Sequence, residues 1–234
     1  MGKRGPKPRD PSSIEWSEKM AYAVGLIATD GSLSKSGRHI ILVSKDKDQL
    51  ETFKNILGLQ RIKIGTGYSG RGDQKEYYKV QFGDVSFYHW LQGIGLTPNK
   101  SKTIGALAVP DQFFFDFLRG CFDGDGSIYA YWDPRWHSSY VFYLSFVSAS
   151  RPFLEWLQQT SRRLVGVRGR IGQGSRVLQL RYAKRESLAL FERMYYATGL
   201  PCLERKFVKA QKIFSINETH NKNAQVAELV YAYA

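Results

Sequence analysis

The sequence predicts an α+β protein in which one αββαββα unit is written twice, each copy an antiparallel sheet backed by helices. Three observations carry that expectation. Two helical stretches end in Asp-Gly-Ser, at Asp30 and Asp125; each is followed by strand and helix patterns in the same order; and each copy closes on a Gly-Leu pair. Matching order over seven elements points to duplication and so to a pseudo-two-fold molecule, which does on one chain what a symmetric dimer does on two.

Residues 1–13, MGKRGPKPRDPSS, hold four basic residues and three prolines, a composition that favours a flexible basic arm over helix or strand. Such an arm suits either a DNA minor groove or simple solubilisation. The first unit, over 14–104, opens on AYAVGLIATDGS (21–32), read as a helix. HIILVS (39–44) alternates as one strand of a hairpin, and DQLETFKNILGL (48–59) has apolar residues at three-to-four spacing with a closing glycine. RIKIGTG (61–67) and YYKVQF (77–82) read as a second strand pair, and VSFYHWLQGIGL (85–96) as the last helix. The second unit, over 105–214, repeats the order with FDFLRGCFDGDGS (115–127), YVFYLSFVS (140–148), RPFLEWLQQTSRRLVG (151–166), VRGRIGQG (167–174), RVLQLRY (176–182) and ESLALFERMYYATGL (186–200). The tail, 215–234, has no counterpart in the first unit and is expected to be loosely ordered. Its NAQVAELVYAYA end resembles a reading frame that runs on into a transfer RNA gene, as that of a mobile intron would.

Lys and Arg number 34 against 21 Asp and Glu, a formal charge of +13, so the partner should be a polyanion, with nucleic acid ahead of an anionic membrane. No apolar run approaches the roughly 20 residues that span a bilayer, and the basic start lacks an apolar signal core. Together these imply a soluble intracellular protein of the cytoplasm, nucleoid or an organelle. Cys121 and Cys202 make neither a disulfide framework nor a thiolate zinc site and read as buried free thiols. His39, His89, His137 and His220 are scattered and build no histidine-based nuclease.

Gly25 with Ala28 and Thr29, and Gly120 with Gly124, place small residues one turn apart, so the two opening helices can approach backbone to backbone and bring their ends together. Each helix should stop at its Asp-Gly, the glycine taking the left-handed conformation that closes a helix. An aspartate in a last helical turn faces the negative end of the macrodipole, at a cost of about 0.3–1 kcal/mol, and two of them close together also repel. A divalent cation relieves both, and hard oxygen ligands in an open, hydrated place suit Mg²⁺. An EF-hand reading of Asp123 to Ser127 fails, because Ile128 and Pro134 stand where such a loop needs glycine and glutamate.

Gly25-Leu26-Ile27-Ala28-Thr29-Asp30-Gly31 and Leu118-Arg119-Gly120-Cys121-Phe122-Asp123-Gly124-Asp125-Gly126 both resemble the signature of the LAGLIDADG homing endonucleases, and the likeness covers roughly residues 17–213. The resemblance implies two pseudo-symmetric LAGLIDADG halves with the motif helices packed at the centre. It also implies a monomeric, metal-dependent enzyme that makes a staggered double-strand break in a long DNA target. In such enzymes the last acid of each motif binds metal through its side chain and the residue before it through its carbonyl, which here names Asp30 with Thr29 and Asp125 with Gly124. The ions would be two or three divalent cations, Mg²⁺ by preference, with Mn²⁺ or Ca²⁺ able to substitute for binding. The earlier acid of the motif stands as Asp123 in the second half and is replaced by Ala28 in the first. The family also supplies a lysine after the last helix of each unit: Lys206 in GLPCLERKF (199–207), and Lys100 or Lys102 in GLTPNKSKT (95–103). Spacing from the Gly-Leu pairs matches Lys102 with Lys206, whereas the Asn-Lys-Ser context favours Lys100.

DNA reading is expected from the sheets, since a twisted antiparallel sheet in the major groove offers alternate side chains to bases and phosphates. Arg61, Lys63, Lys79 and Gln81 in the first half, with Arg168, Arg170, Arg176, Gln179 and Arg181 in the second, alternate with residues able to face the helices. Tyr129, Tyr131, Arg135 and His137 in the longer second hairpin extend the footprint, with Trp132 and Trp136 packing its base. Double-stranded DNA is then the partner, host intron RNA a further one. An intron RNA maturase or a regulator that binds DNA without cutting is the alternative on this scaffold, and the intact Asp30 and Asp125 favour cleavage. An endonuclease domain excised from a self-splicing protein is disfavoured, because residue 1 is not a nucleophile and no terminal His-Asn pair is present.

Overall fold

Ser17 starts the first helix by accepting a hydrogen bond from the Met20 N–H with its side chain, and α1 (Glu18–Asp30) then buries every residue from Met20 to Ala28. The computed structural model to which this belongs describes residues 14–69, 75–136, 139–175 and 177–232. After α1 come β1 (Gly31–Leu33), β2 (His39–Ser44), α2 (Lys47–Leu57), β3 (Gly65–Ser69), β4 (Lys75–Gly83) and α3 (Val85–Gly93). The second half repeats them as α4 (Phe114–Asp125), β5 (Ser127–Trp132), β6 (Tyr140–Ser148), α5 (Arg151–Val165), β7 (Arg170–Gln173), β8 (Leu178–Ala183) and α6 (Lys184–Met194), and α7 (Glu204–Ala232) follows.

Each half is an α+β unit with one four-stranded antiparallel sheet, ordered β1-β2-β4-β3 in the first and β5-β6-β8-β7 in the second. Period-two alternation gives each sheet a dry face. Ile40, Leu42, Val80 and Phe82 pack towards Leu50 and Phe53, and Phe142, Leu144, Phe146 and Leu180 towards Leu154 and Leu157. The halves meet through α1 and α4. A Cβ on Gly25 would collide with the Phe117 carbonyl oxygen, and one on Gly120 with the Tyr22 carbonyl oxygen, so the small residues admit backbone contact.

Several expectations change. Gly31 (φ −89) and Gly126 (φ −79) are extended rather than left-handed. Glycine is required there for space, because a side chain would meet the preceding helical turn at the Ile27 Cα (2.6 Å) or the Phe122 Cα (2.5 Å). The closing helices stop at Gly93 and Met194, short of the Gly-Leu pairs, whose Gly95 and Gly199 supply positive φ in the following turns. The chain leaves α2 and α5 through left-handed Gly58 and Gly166 and buries Leu59 and Val167 before reaching the sheet. Strands β3 and β7 therefore begin at Gly65 and Arg170, later than RIKIGTG and VRGRIGQG suggest, and Arg61, Lys63 and Arg168 precede them.

The stretch from Ser215 to Ala232 is not loose but continues α7. Ala210, Ile213, Phe214 and Asn217 bury one face of that helix, and the Phe214 ring meets Phe142 at 5.5 Å. The first half has no such helix, so the repeat contains no signal for it. Cys121 is buried as expected, while Cys202 is only half-buried. The basic arm 1–13, His137 and Arg176 lie outside the described residues. Among the described residues, no helix is long and apolar enough to cross a membrane.

Candidate functional site

The close approach of α1 and α4 carries their last turns to one place. Gly124 has no room for a side chain, because a Cβ there would strike Thr29 and lie 3.0 Å from Asp30 Oδ2. Asp30 and Asp125 thus open together into a cavity of about 530 Å³, whose wall also includes Lys45, Asp46, Tyr77 and Arg205. Burial first, and the Asp125 charge second, push the Asp30 carboxyl up to about 7. The Asp125 carboxyl is raised as well, mainly by the protein crowded around it, although part of the residue stays exposed to the cavity. Lys100 and Lys206 pull both carboxyls back down, so the four groups form one electrostatic cluster.

Left-handed Asn99 (φ 58) turns the chain so that the short 3₁₀ turn Lys100–Lys102 presents Lys100 inward and Lys102 outward. Lys100 is 5% exposed, and its Nζ donates to the Thr29 carbonyl at 3.2 Å. Lys102 is exposed and, among the described residues, makes no hydrogen bond or ion pair to either aspartate. On the other side, the Lys206 Nζ lies 2.7–2.9 Å from the carbonyl oxygens of Phe122, Asp123, Gly124 and Gly126. Three ammonium protons serve those four acceptors, at the helix end whose carbonyls carry the negative pole of α4. Burial lowers both lysines to about 8, against the pull of the carboxylates.

Asp123 is not on the open surface. Its Oδ2 accepts from the Tyr22 hydroxyl (2.9 Å) and the Leu203 N–H (2.7 Å), joining α4 to α1 and to the start of α7. Burial raises its carboxyl to about 6. The fully buried Arg119 does a parallel job, donating to Asp116 at 2.7 Å and to the carbonyls of Pro201 and Met194. Together they fix the segment that delivers Lys206. No pattern in the residues points to Arg119, which occupies an apolar-looking motif position, or to Asp46 and Arg205 at the cavity wall.

The outer faces of the sheets gather most of the expected DNA-reading residues. Lys79 and Gln81 are exposed on β4, paired with Val43 and Ile41. In the second sheet Arg170, Arg181 and Ser145 form one row, Gln179 and Gly172 the next, and Tyr129 stacks on Tyr143 at 5.4 Å. The Arg181 guanidinium lies 5.9 Å from the Tyr143 ring centre. Tyr131 continues that face, exposed, while Arg135 at the hairpin tip is paired with Asp133 at 3.1 Å. Arg61, Lys63 and Arg168 are exposed beside the sheets rather than in them. Trp132 packs on Tyr140 and His220, but Trp136 is 69% exposed and does not pack the hairpin base.

The donor set is oxygen-only: two carboxylates that repel each other and two neighbouring carbonyls, a chemistry suited to hard divalent cations. Among the described residues no group of three or more His, Cys, Asp or Glu side chains could hold a metal, so such an ion would draw part of its shell from water or a bound phosphate.

Solved structures share this architecture. The homing endonuclease I-WcaI bound to its DNA recognition sequence matches with a TM-score of 0.57 at 12% identity, over 78% of this chain and 83% of that one. The chain has the LAGLIDADG fold. Full-length DUF199/WhiA from Thermatoga maritima matches with a TM-score of 0.54 at 16% identity, over 93% of this chain and 70% of that one. I-DmoI in complex with DNA and Ca matches with a TM-score of 0.51 at 16% identity, over 79% and 93%. By sequence, an uncharacterized protein of Methanocaldococcus jannaschii is 27% identical over 115 residues, 48% of this chain. The match spans 42% of that protein's own length. No protein-family model matches the chain.

Proposed function

We propose that the chain is a divalent-metal-dependent endonuclease that binds a long double-stranded DNA site and cuts both strands. The observation that carries the reading is the meeting of Asp30 and Asp125 in one cavity, at the ends of two packed helices, with Lys100 and Lys206 beside them. I-WcaI bound to its DNA and I-DmoI with DNA and Ca support DNA and a divalent ion as the ligands of this scaffold. Asp30 and Asp125 would hold Mg²⁺ through their side chains, with Thr29 and Gly124 offering carbonyls. When bound, the ion neutralises charge on the phosphate and activates a water.

The chain's own groups supply the rest. The Lys100 and Lys206 ammoniums place positive charge where negative charge builds up on a phosphate under attack. The outer rows of Lys79, Gln81, Arg170, Gln179 and Arg181 supply phosphate contacts and base reading. Both halves reside on one chain, so a monomer suffices, and a mobile intron is the genetic setting that fits. The test is incubation of the protein with Mg²⁺ and a randomised duplex library, followed by sequencing of cut ends. Recurrent staggered breaks at one long sequence are expected. A single long sequence enriched among the duplexes that the protein retains in Mg²⁺, yet left uncut, would overturn cleavage in favour of a binding protein.

A further inference from the structure

Asp46 stands at the start of α2, where an aspartate ordinarily accepts hydrogen bonds from the free N–H groups of the first turn, and its extended backbone (φ −102, ψ 108) fits that position. Its carboxylate makes no such bond, although Ser17 caps α1 and Asp84 caps α3 in the same half. Arg205, from the first turn of α7 in the other half, holds it instead in a two-pronged ion pair, Nε to Oδ1 at 2.7 Å and Nη2 to Oδ2 at 2.6 Å. Both side chains line the cavity that contains Asp30 and Asp125, and the Arg205 side chain is 59% exposed. A third carboxylate at the mouth of a phosphate site repels its ligand unless a cation covers it.

We propose that Arg205 is a phosphate-positioning residue held in reserve by Asp46: as a DNA backbone phosphate enters the cavity, Arg205 turns to the phosphate and Asp46 turns to cap α2. The inference rests on the reading of DNA as partner given above. A guanidinium grips a phosphate with the same forked geometry it uses on a carboxylate. The exposed ion pair given up and the helix cap gained are of similar size, so the incoming phosphate decides the exchange.

The test is binding of a labelled duplex of arbitrary sequence to the full chain in EDTA, titrated against salt, for wild type, Asp46→Ala, Arg205→Ala and the double variant. Arg205→Ala should weaken binding and reduce the slope of log affinity against log salt by about 1. Asp46→Ala should strengthen binding by up to about fivefold, the worth of an exposed ion pair, and the double variant should behave as Arg205→Ala. Asp46→Asn, which can still cap α2, should strengthen binding without lowering the melting temperature, and it serves if Asp46→Ala does not fold. A pair that merely fastens the halves gives another pattern: both single variants weaken binding and stability together, and that result overturns the proposal. An unchanged salt slope in Arg205→Ala, with wild-type binding intact, overturns it too, whereas failure of the wild type to bind any duplex strikes the reading of DNA as partner.

Discussion

The two halves agree where they touch and diverge where they face the cavity. Gly25 and Gly120 exchange equivalent backbone contacts across α1 and α4, and the two sheets have the same strand order. At the helix ends the likeness stops. Lys100 donates to one carbonyl at the end of α1, whereas Lys206 spans three carbonyls of α4 and that of Gly126 just after it. Asp123 anchors the second half to Tyr22 and Leu203, and the first half has Ala28 in its place. Lys45 and Asp46 border the cavity from the first half, where the second half offers Ala149 and Ser150 at the corresponding step between β6 and α5. The two halves share one scaffold, and each gives an equivalent aspartate its own surroundings.

The largest effects should fall where the halves agree. Gly25→Ala and Gly120→Ala should each cost about 3 kcal/mol in chemical denaturation, because both force backbone apart in a closed interface. Clearly unequal losses would break the claim of an equivalent contact. A smaller effect should separate the lysines. Without metal, Lys206→Met leaves the end of α4 without its cation and should cost about 2 kcal/mol, while Lys100→Met, which removes a buried charge with one partner, should stay within about 1 kcal/mol. Equal losses would mean that the four-carbonyl arrangement adds nothing.

The smallest effect concerns Asp30 and carries a sign. Its carboxyl rises from 3.8 to about 7 on folding, so the folded state holds the proton more tightly than the unfolded one. The stability this adds is complete below about pH 4 and is lost as pH rises towards 7. In EDTA, Asp30→Asn should therefore raise the melting temperature by about 2–4 °C at pH 8 and leave it unchanged at pH 4. Saturating Mg²⁺ should remove the advantage by stabilising the wild type. A melting temperature that falls at pH 8 on this substitution would contradict the crowding of Asp30 against Asp125.

Much of this was legible in the residues. Period-two and period-three-to-four patterns located the sheets and helices, and Asp-Gly-Ser at two places located the cavity. Patterns along a chain do not say which way a turn faces, so residue order does not choose between Lys100 and Lys102, whereas left-handed Asn99 sets the direction of the turn. RIKIGTG alternates before the sheet begins, which put Arg61 and Lys63 in a strand they precede. Residues that act across the halves were the least visible. Asp46 and Arg205 meet only through the fold, and Arg119 finds its two carbonyl acceptors in a segment some eighty residues further along the chain.

The central claim is that Asp30 and Asp125 form one reaction centre, and strand-resolved cleavage of the selected DNA site tests it most directly. In Mg²⁺, Asp30→Asn and Asp125→Asn should each slow cutting by on the order of 10²–10³-fold while duplex binding in EDTA persists. Wild-type cutting of both strands, retained in either variant, would contradict it.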